Sequence, residues 1–169
     1  MPRSFDMSAD YDGTVEEVHR AFSERDYWLA RLAESGVDES ELESMRVSDG
    51  TIDVVTVQVV RSHNLPGLVT QLHRGDLRFR REENWGPITG GTATASIAGS
   101  IVDAPVNLSG TAVLSPIAGS GGARLEFRVT VQVRIPIVGG KVEKLLGGVL
   151  SALVTGEQRF TTTWIANHA

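Results

Sequence analysis

The chain contains no cysteine, which removes disulfides, thiol nucleophiles, thiolate zinc sites and cysteine-bound iron–sulfur clusters in one step. It also lacks a long apolar run. The longest uncharged apolar stretch, Leu145 to Gly156, is interrupted by Gly147 and Gly148 and closed by Gly156. It falls well short of the ~20 residues that a membrane-spanning helix needs, so no integral membrane association is expected. Asp6, Asp10 and Asp12 stand where a secretory signal would need its apolar core, and a cytoplasmic location is expected. Positive charge is short as well: 16 Lys and Arg face 21 Asp and Glu, for a net charge of -5. That balance argues against a general affinity for nucleic acid or anionic lipid surfaces and leaves only a local basic patch open.

Familiar catalytic signatures are missing too. There is no nucleophile elbow and no Walker phosphate loop, and the glycine pairs lack the strand–turn–helix context of a dinucleotide fingerprint. The histidines are His19, His63, His73 and His168, and no two have the close helical spacing of a metal motif. His63 and His73 share one loop region, where they could meet in space with Asp76 around a metal. Neither a metal nor a cofactor is expected.

What is present describes one domain spanning residues 1–169. The length suits one core of ordinary size, and 41% hydrophobic with 22% charged residues is a globular composition. Phe5, Met7 and Ala9 alternate with polar residues as in a half-buried strand. Thr14 with Glu17 forms a capping box, after which Val15, Val18 and Phe22 mark a buried helix face. Asp26 is read as the N-cap of a second short helix with an apolar stripe of Trp28, Leu29, Leu32 and Ala33, ended by Gly36. Strands are expected from Glu41 to the Asp49-Gly50 hairpin and back along Ile52 to Val60. Ser62 to Asp76 is a long loop carrying leucines.

Further strands follow at Leu77 to Trp85, Thr92 to Ile101 and Val106 to Leu114. The last strand has Leu125, Phe127, Val129, Val131, Val133 and Ile135 in unbroken alternation with polar residues, so one face is core and the other is water. From Lys141 to about Trp164 the period becomes helical, with a stripe of Val142, Leu145, Leu146, Val149, Leu150, Leu153, Glu157, Phe160 and Trp164. Helix and last strand each span roughly 36 Å, so the helix can lie along the whole sheet. The expected fold class is α+β: a helix-grip in which a seven-stranded antiparallel sheet curves around a long C-terminal helix, with two short helices after the first strand.

This order, the phrase Thr14-Val-Glu-Glu-Val18 ending in Ala21-Phe22, the Asp26-Tyr27-Trp28 start of the second helix and the closing amphipathic helix resemble the START-like superfamily. That superfamily includes polyketide cyclases and birch-pollen-allergen-like proteins. Within it the chain resembles an actinobacterial family of unknown function. His19 departs from the pattern, since relatives often carry an aromatic residue there. The resemblance implies a cavity between sheet and helix, and with it binding or carriage of a hydrophobic small molecule of the lipid, polyketide or isoprenoid class. Two alternatives stay open. One is a cyclase, dehydratase or hydrolase on the same fold; the other is a protein-interaction module acting through the sheet edge or the strand face that carries Arg78, Arg80, Arg124, Arg128 and Arg134.

The candidate ligand-binding residues are Phe79, Trp85, Phe127, Val129, Val131, Leu146, Leu150, Leu153, Glu157 and Phe160, with Leu65, Leu68 and Val69 as a lid. Ala93, Ala95, Gly99, Gly110 and Ala112 are small residues in one register. They leave room for a ligand if the helix stands off, or are covered if Gly147 and Gly148 let the helix sink. Glu157 is the one charge on the apolar stripe. It is read as an acid or base, as a group orienting a polar ligand end, as the partner of an arginine, or as a solvated residue.

Overall fold

The computed structural model describes residues 2–64, 67 and 75–168. Strand β1 (Arg3–Tyr11) leads into helices α1 (Val15–Phe22) and α2 (Arg25–Ala33). Strands β2 (Glu39–Ser48), β3 (Thr51–Val60), β4 (Leu77–Trp85), β5 (Ala93–Ile101), β6 (Val106–Pro116) and β7 (Ala123–Val133) then precede the 29-residue helix α3 (Gly139–Asn167). The seven strands form one antiparallel sheet in the order β1-β7-β6-β5-β4-β3-β2. The helix-grip architecture is therefore present in full.

Local chemistry sets the joints. Thr14 accepts from the Glu17 amide at 3.1 Å while Glu17 accepts from the Thr14 amide at 3.0 Å, satisfying two donors that a helix start leaves open. Asp49 and Gly50 have φ of 51° and 83°, as the two central residues of a type I′ turn require. Several boundaries differ from the sequence expectation by a few residues, and two of them have a local chemical basis. Helix α2 is capped at Glu24 without a side-chain bond, and Asp26 lies inside its first turn, where a negative charge suits the helix dipole. Strand β7 ends at Val133 because Pro105, opposite Arg134 in the same register, accepts from the Arg134 amide at 2.9 Å but has no N–H to return the bond.

The α2 stripe is also rotated. Leu29 is 43% exposed and Ala33 is exposed, while Tyr27, Trp28, Arg31 and Leu32 are buried. Aromatic packing wins over the aliphatic pattern. Tyr27 lies within 6 Å of the rings of Phe22, Trp28, Phe160 and Trp164, and the Trp28 indole donates to the Phe22 carbonyl at 2.7 Å. This cluster closes one end of the sheet over Trp85, 5.2 Å from Phe22.

Helix α3 does not lie evenly over the sheet. A Cβ on Gly147 would overlap the Phe5 ring, so the helix descends closest over β1, at the sheet edge. Gly148 faces open space.

Candidate functional site

Because α3 leans toward β1, a gap remains over the middle of the sheet. An apolar cavity of about 190 Å³ fills part of it. Its floor comes from Leu77 and Phe79 on β4, Gly99 and Ile101 on β5, Val106 and Leu108 on β6, and Val131 on β7. Leu146, Val149, Leu150 and Leu153 of α3 form its roof, and Gln58 and Ser100 are the polar side chains in its wall. A smaller space of about 50 Å³ lies deeper along the same helix face and shares Phe79, Leu108, Leu150 and Leu153 with the first. Its far wall carries Trp85, Phe127 and Ala112 together with Arg31, Arg81, Glu83 and Glu157.

The expected residues divide accordingly. Phe79, Leu150 and Leu153 line both spaces, Val131 and Leu146 the larger one, and Trp85, Phe127 and Glu157 the smaller one. Val129 is fully buried and outside both walls, since it sits in register with Phe5 and Gly110 where the helix comes down. Phe160 lies against Tyr27 and borders a separate pocket between α2 and α3. Leu65, Leu68 and Val69 lie outside the described residues.

The small residues have separate reasons. Gly99 and Ala112 do line cavity walls. Gly110 does not: a Cβ there would be 2.6 Å from the Arg128 carbonyl oxygen, so a close backbone approach from β7 requires glycine. Ala93 and Ala95 are buried away from both spaces, and Ala95 is the register partner of Trp85.

Glu157 is answered by two arginines, 2.8 Å from Arg31 Nη2 and 2.8 Å from Arg81 Nη2. Glu83 completes the group, 3.5 Å from Arg31 and 3.3 Å from Arg81. It also accepts from the Trp85 indole at 3.3 Å. Burial acts to raise the Glu157 pKa, but the two guanidinium charges and their hydrogen bonds outweigh it and hold the carboxyl below its ordinary range. Burial opposes the Arg31 charge as well, and Glu157 leads the groups that keep it firmly protonated.

A proton chain supports the cluster. Thr161 Oγ1 donates to the Glu157 carbonyl at 2.7 Å, so at its 2.5 Å contact with Tyr27 it accepts from the phenol. Tyr27 in turn accepts from Arg31 at 3.3 Å. Burial pushes the Tyr27 phenol up and keeps it neutral. The Arg31 guanidinium also lies 4.4 Å over the Trp28 ring, a favourable cation–π placement. Arg81 Nε is the exception: it points off line from Glu83 and is the one buried side-chain nitrogen or oxygen without a hydrogen bond among the described residues.

Sequence reasoning passed over Arg31, Arg81 and Glu83 as parts of this site. Arg81 and Glu83 alternate with Phe79 and Trp85 on the inward face of β4, which was the available signal. Glu143 was missed as well. It is 2% exposed and accepts from the Val133 amide at 3.0 Å, closing the end of β7. The loop histidines make no shared site in the described region. Asp76 holds the Ser62 amide at 2.9 Å and Arg61 at 3.1 Å, and His73 lies outside the described residues. His19 Nε2 donates to the Gly86 carbonyl, 3.0 Å away. The arginine-bearing strand face is not a uniform basic patch: Arg124 pairs with Asp10, Arg128 with Asp6, and Arg80 with Glu43 and Glu82.

A family model described as protein of unknown function (DUF2505) matches residues 6–165. Uncharacterised proteins of Mycobacterium tuberculosis and Mycobacterium bovis are each 72% identical, over 99% of both chains. Among solved structures, a Thermus thermophilus protein superposes with a TM-score of 0.63 at 16% identity over 99% of each chain. A START superfamily protein of Mycobacterium smegmatis gives 0.55 at 13% identity, covering 98% of this chain and 99% of its own. Norcoclaurine synthase of Thalictrum flavum, solved with dopamine and hydroxybenzaldehyde, gives 0.52 at 11% identity, covering 100% of this chain and 89% of its own. At such identities these three speak for the START-like, birch-pollen-allergen-like fold and nothing finer. Among the described residues no helix is long and apolar enough to cross a membrane.

Proposed function

The chain belongs to the DUF2505 family of proteins of unknown function, and we propose that it binds or carries a hydrophobic small molecule between its sheet and its C-terminal helix. The observation that carries this is the apolar space of about 190 Å³ under Leu146, Val149, Leu150 and Leu153. Interiors are normally packed to crystal-like density with few voids larger than a water molecule. A space of this size and lining loses contacts that a ligand would restore. It exceeds the ~150 Å³ of an engineered apolar cavity that takes up benzene, yet lies below the ~300 Å³ at which drug-sized pockets begin. A single ring or short chain fits the closed form, and a longer lipid requires α3 to lift at Leu146 and Val149.

The fold neighbours support the same reading, because a START superfamily protein and an enzyme solved with two small aromatic compounds share the architecture. The ion-paired Glu157 speaks for holding rather than acid–base chemistry. A general acid working near neutral pH needs a raised pKa, and two guanidinium groups act in the other direction.

The test is titration with fluorescent fatty-acyl, isoprenoid and polycyclic probes, read as saturable binding reversed by unlabelled competitor. Val149→Trp fills the half-exposed roof position with an indole and should abolish binding while the melting temperature stays close to that of the parent. A folded protein that binds none of the three probe classes, and with which native mass spectrometry finds nothing co-purified, would overturn the proposal.

A further inference from the structure

Val60, Leu77, Ile101 and Val106, four residues of the larger cavity's wall, lie at the end of the sheet where α3 begins. At this end Ile137 is 100% exposed with φ of 71°. A branched side chain disfavours that left-handed backbone, and water disfavours the side chain. The corner is nevertheless fixed, by Arg134 N to Pro105 O at 2.9 Å, Val138 N to Pro136 O at 2.8 Å and Gly139 N to Ile135 O at 3.0 Å. Val102, 38% exposed, stands at the same end.

Charge is unevenly placed around them. The chain has only two lysines, Lys141 and Lys144, and both lie in the first turns of α3, where the helix dipole disfavours positive charge. Arg3, Arg78 and Arg134 surround the same end, as fixed by the pairing of Arg3 with Val131, Val102 N to Arg78 O at 2.9 Å, and Arg134 N to Pro105 O at 2.9 Å. All five are exposed, and none is in an ion pair among the described residues. The nearby acids are occupied or few: Glu143 is buried on the Val133 amide, Glu39 and Asp76 hold Arg61, and Asp38 holds Asn64 and the Arg61 amide. Asp103, in the β5–β6 turn, is the remaining one.

We propose that this end docks on an anionic membrane surface, with Ile137 entering the interface and the lysines and arginines facing lipid headgroups. The end of the cavity walled by Val60, Leu77, Ile101 and Val106 then faces the bilayer from which a hydrophobic ligand is taken or to which it is delivered. The proposal rests on the ligand-binding reading above for its purpose, though not for its geometry. The net charge of -5 helps to orient it, since the rest of the molecule is repelled by the surface that attracts this end.

The experiment is co-sedimentation of the full chain with phosphatidylcholine vesicles with and without phosphatidylglycerol, alongside probe titration in solution. Wild-type protein is expected to bind only the anionic vesicles and to be released by high salt. Ile137→Gly suits the left-handed backbone, and Lys141→Glu with Lys144→Glu suits the helix dipole, so both variants should fold at least as stably. Each is expected to bind vesicles at least about tenfold more weakly while keeping solution probe binding. Three results would overturn the proposal: no vesicle binding by wild type, equal binding to neutral vesicles, or unchanged binding by both variants. Binding to heparin or RNA without vesicle binding would overturn it too. Loss of probe binding with intact vesicle binding would count against the ligand reading alone.

Discussion

Gly147 and Phe5 touch so closely that no side chain can stand between helix and strand at that point. The contact fixes where α3 rests. It holds the helix down on β1, at one edge of the sheet, and the curvature of the remaining strands carries β4, β5 and β6 away from it. The apolar gap follows from this one-sided seating, with Gly99 as the small residue on its floor.

The glycines of α3 therefore separate by role. Glycine inside a helix costs about 0.5–1 kcal/mol relative to alanine, so Gly148→Ala and Gly156→Ala, whose new methyl groups meet nothing within 4 Å, should raise stability by about that amount. Gly147→Ala must displace the Phe5 ring or the helix, and overpacking of this kind costs about 1–3 kcal/mol. Urea denaturation of the three variants checks this. Stabilisation by Gly147→Ala would show that the helix is free to shift.

Much of the fold was legible because one-face burial imposes period two on β1 and β7 and a 3.6-residue stripe on α3. The capping box at Thr14 and the turn at Asp49-Gly50 are local chemistry, readable without tertiary context. The site was less legible. Arg81 and Glu83 look like a polar interruption of β4, and Arg31 looks like the exposed side of α2. Only the arrival of Glu157 from a residue 76 positions after Arg81 makes them a buried, charge-balanced group. The seating of Gly147 on Phe5 is equally non-local, so its effect on cavity shape could not be read from spacing.

Breaking the buried cluster should be costly and pH-dependent. Removing one member of a buried pair leaves a desolvated charge and costs about 3–5 kcal/mol, so Glu157→Gln should lower the unfolding free energy by that order at neutral pH. The sign of the pH effect follows from the lowered pKa of Glu157. Its stabilisation is fully present above its unfolded-state value near 4.5 and is lost as pH falls through the lower folded value. The gap between wild type and Glu157→Gln should accordingly narrow under acid, as measured by denaturation at pH 7 and at stepwise lower pH.

The Tyr27–Thr161 hydrogen bond is testable by a double-mutant cycle. Thr161→Val keeps the shape but removes the acceptor, leaving a buried phenol donor unmade at a cost of about 1–3 kcal/mol. Once Tyr27→Phe has removed that donor, Thr161→Val should cost much less. A coupling of at least about 0.5 kcal/mol is expected; additive effects would argue against the Arg31–Tyr27–Thr161 proton order.

Gly99→Ala probes the cavity from the sheet side. A Cβ at Gly99 would lie 3.1 Å from the Phe79 ring, close enough that the ring must give way by a few tenths of an ångström. Phe79 borders both spaces, so it has somewhere to go, and the displacement together with the new methyl group takes volume from the larger one. The backbone at Gly99 has no left-handed φ, and alanine in a strand interior gains about 0.5–1 kcal/mol over glycine. The expected outcome is a stability equal to or above that of the parent with weaker probe binding. The two readouts moving in opposite directions would distinguish a filled ligand site from general damage to the core, and unchanged probe affinity would place the bound molecule away from Gly99 and Phe79.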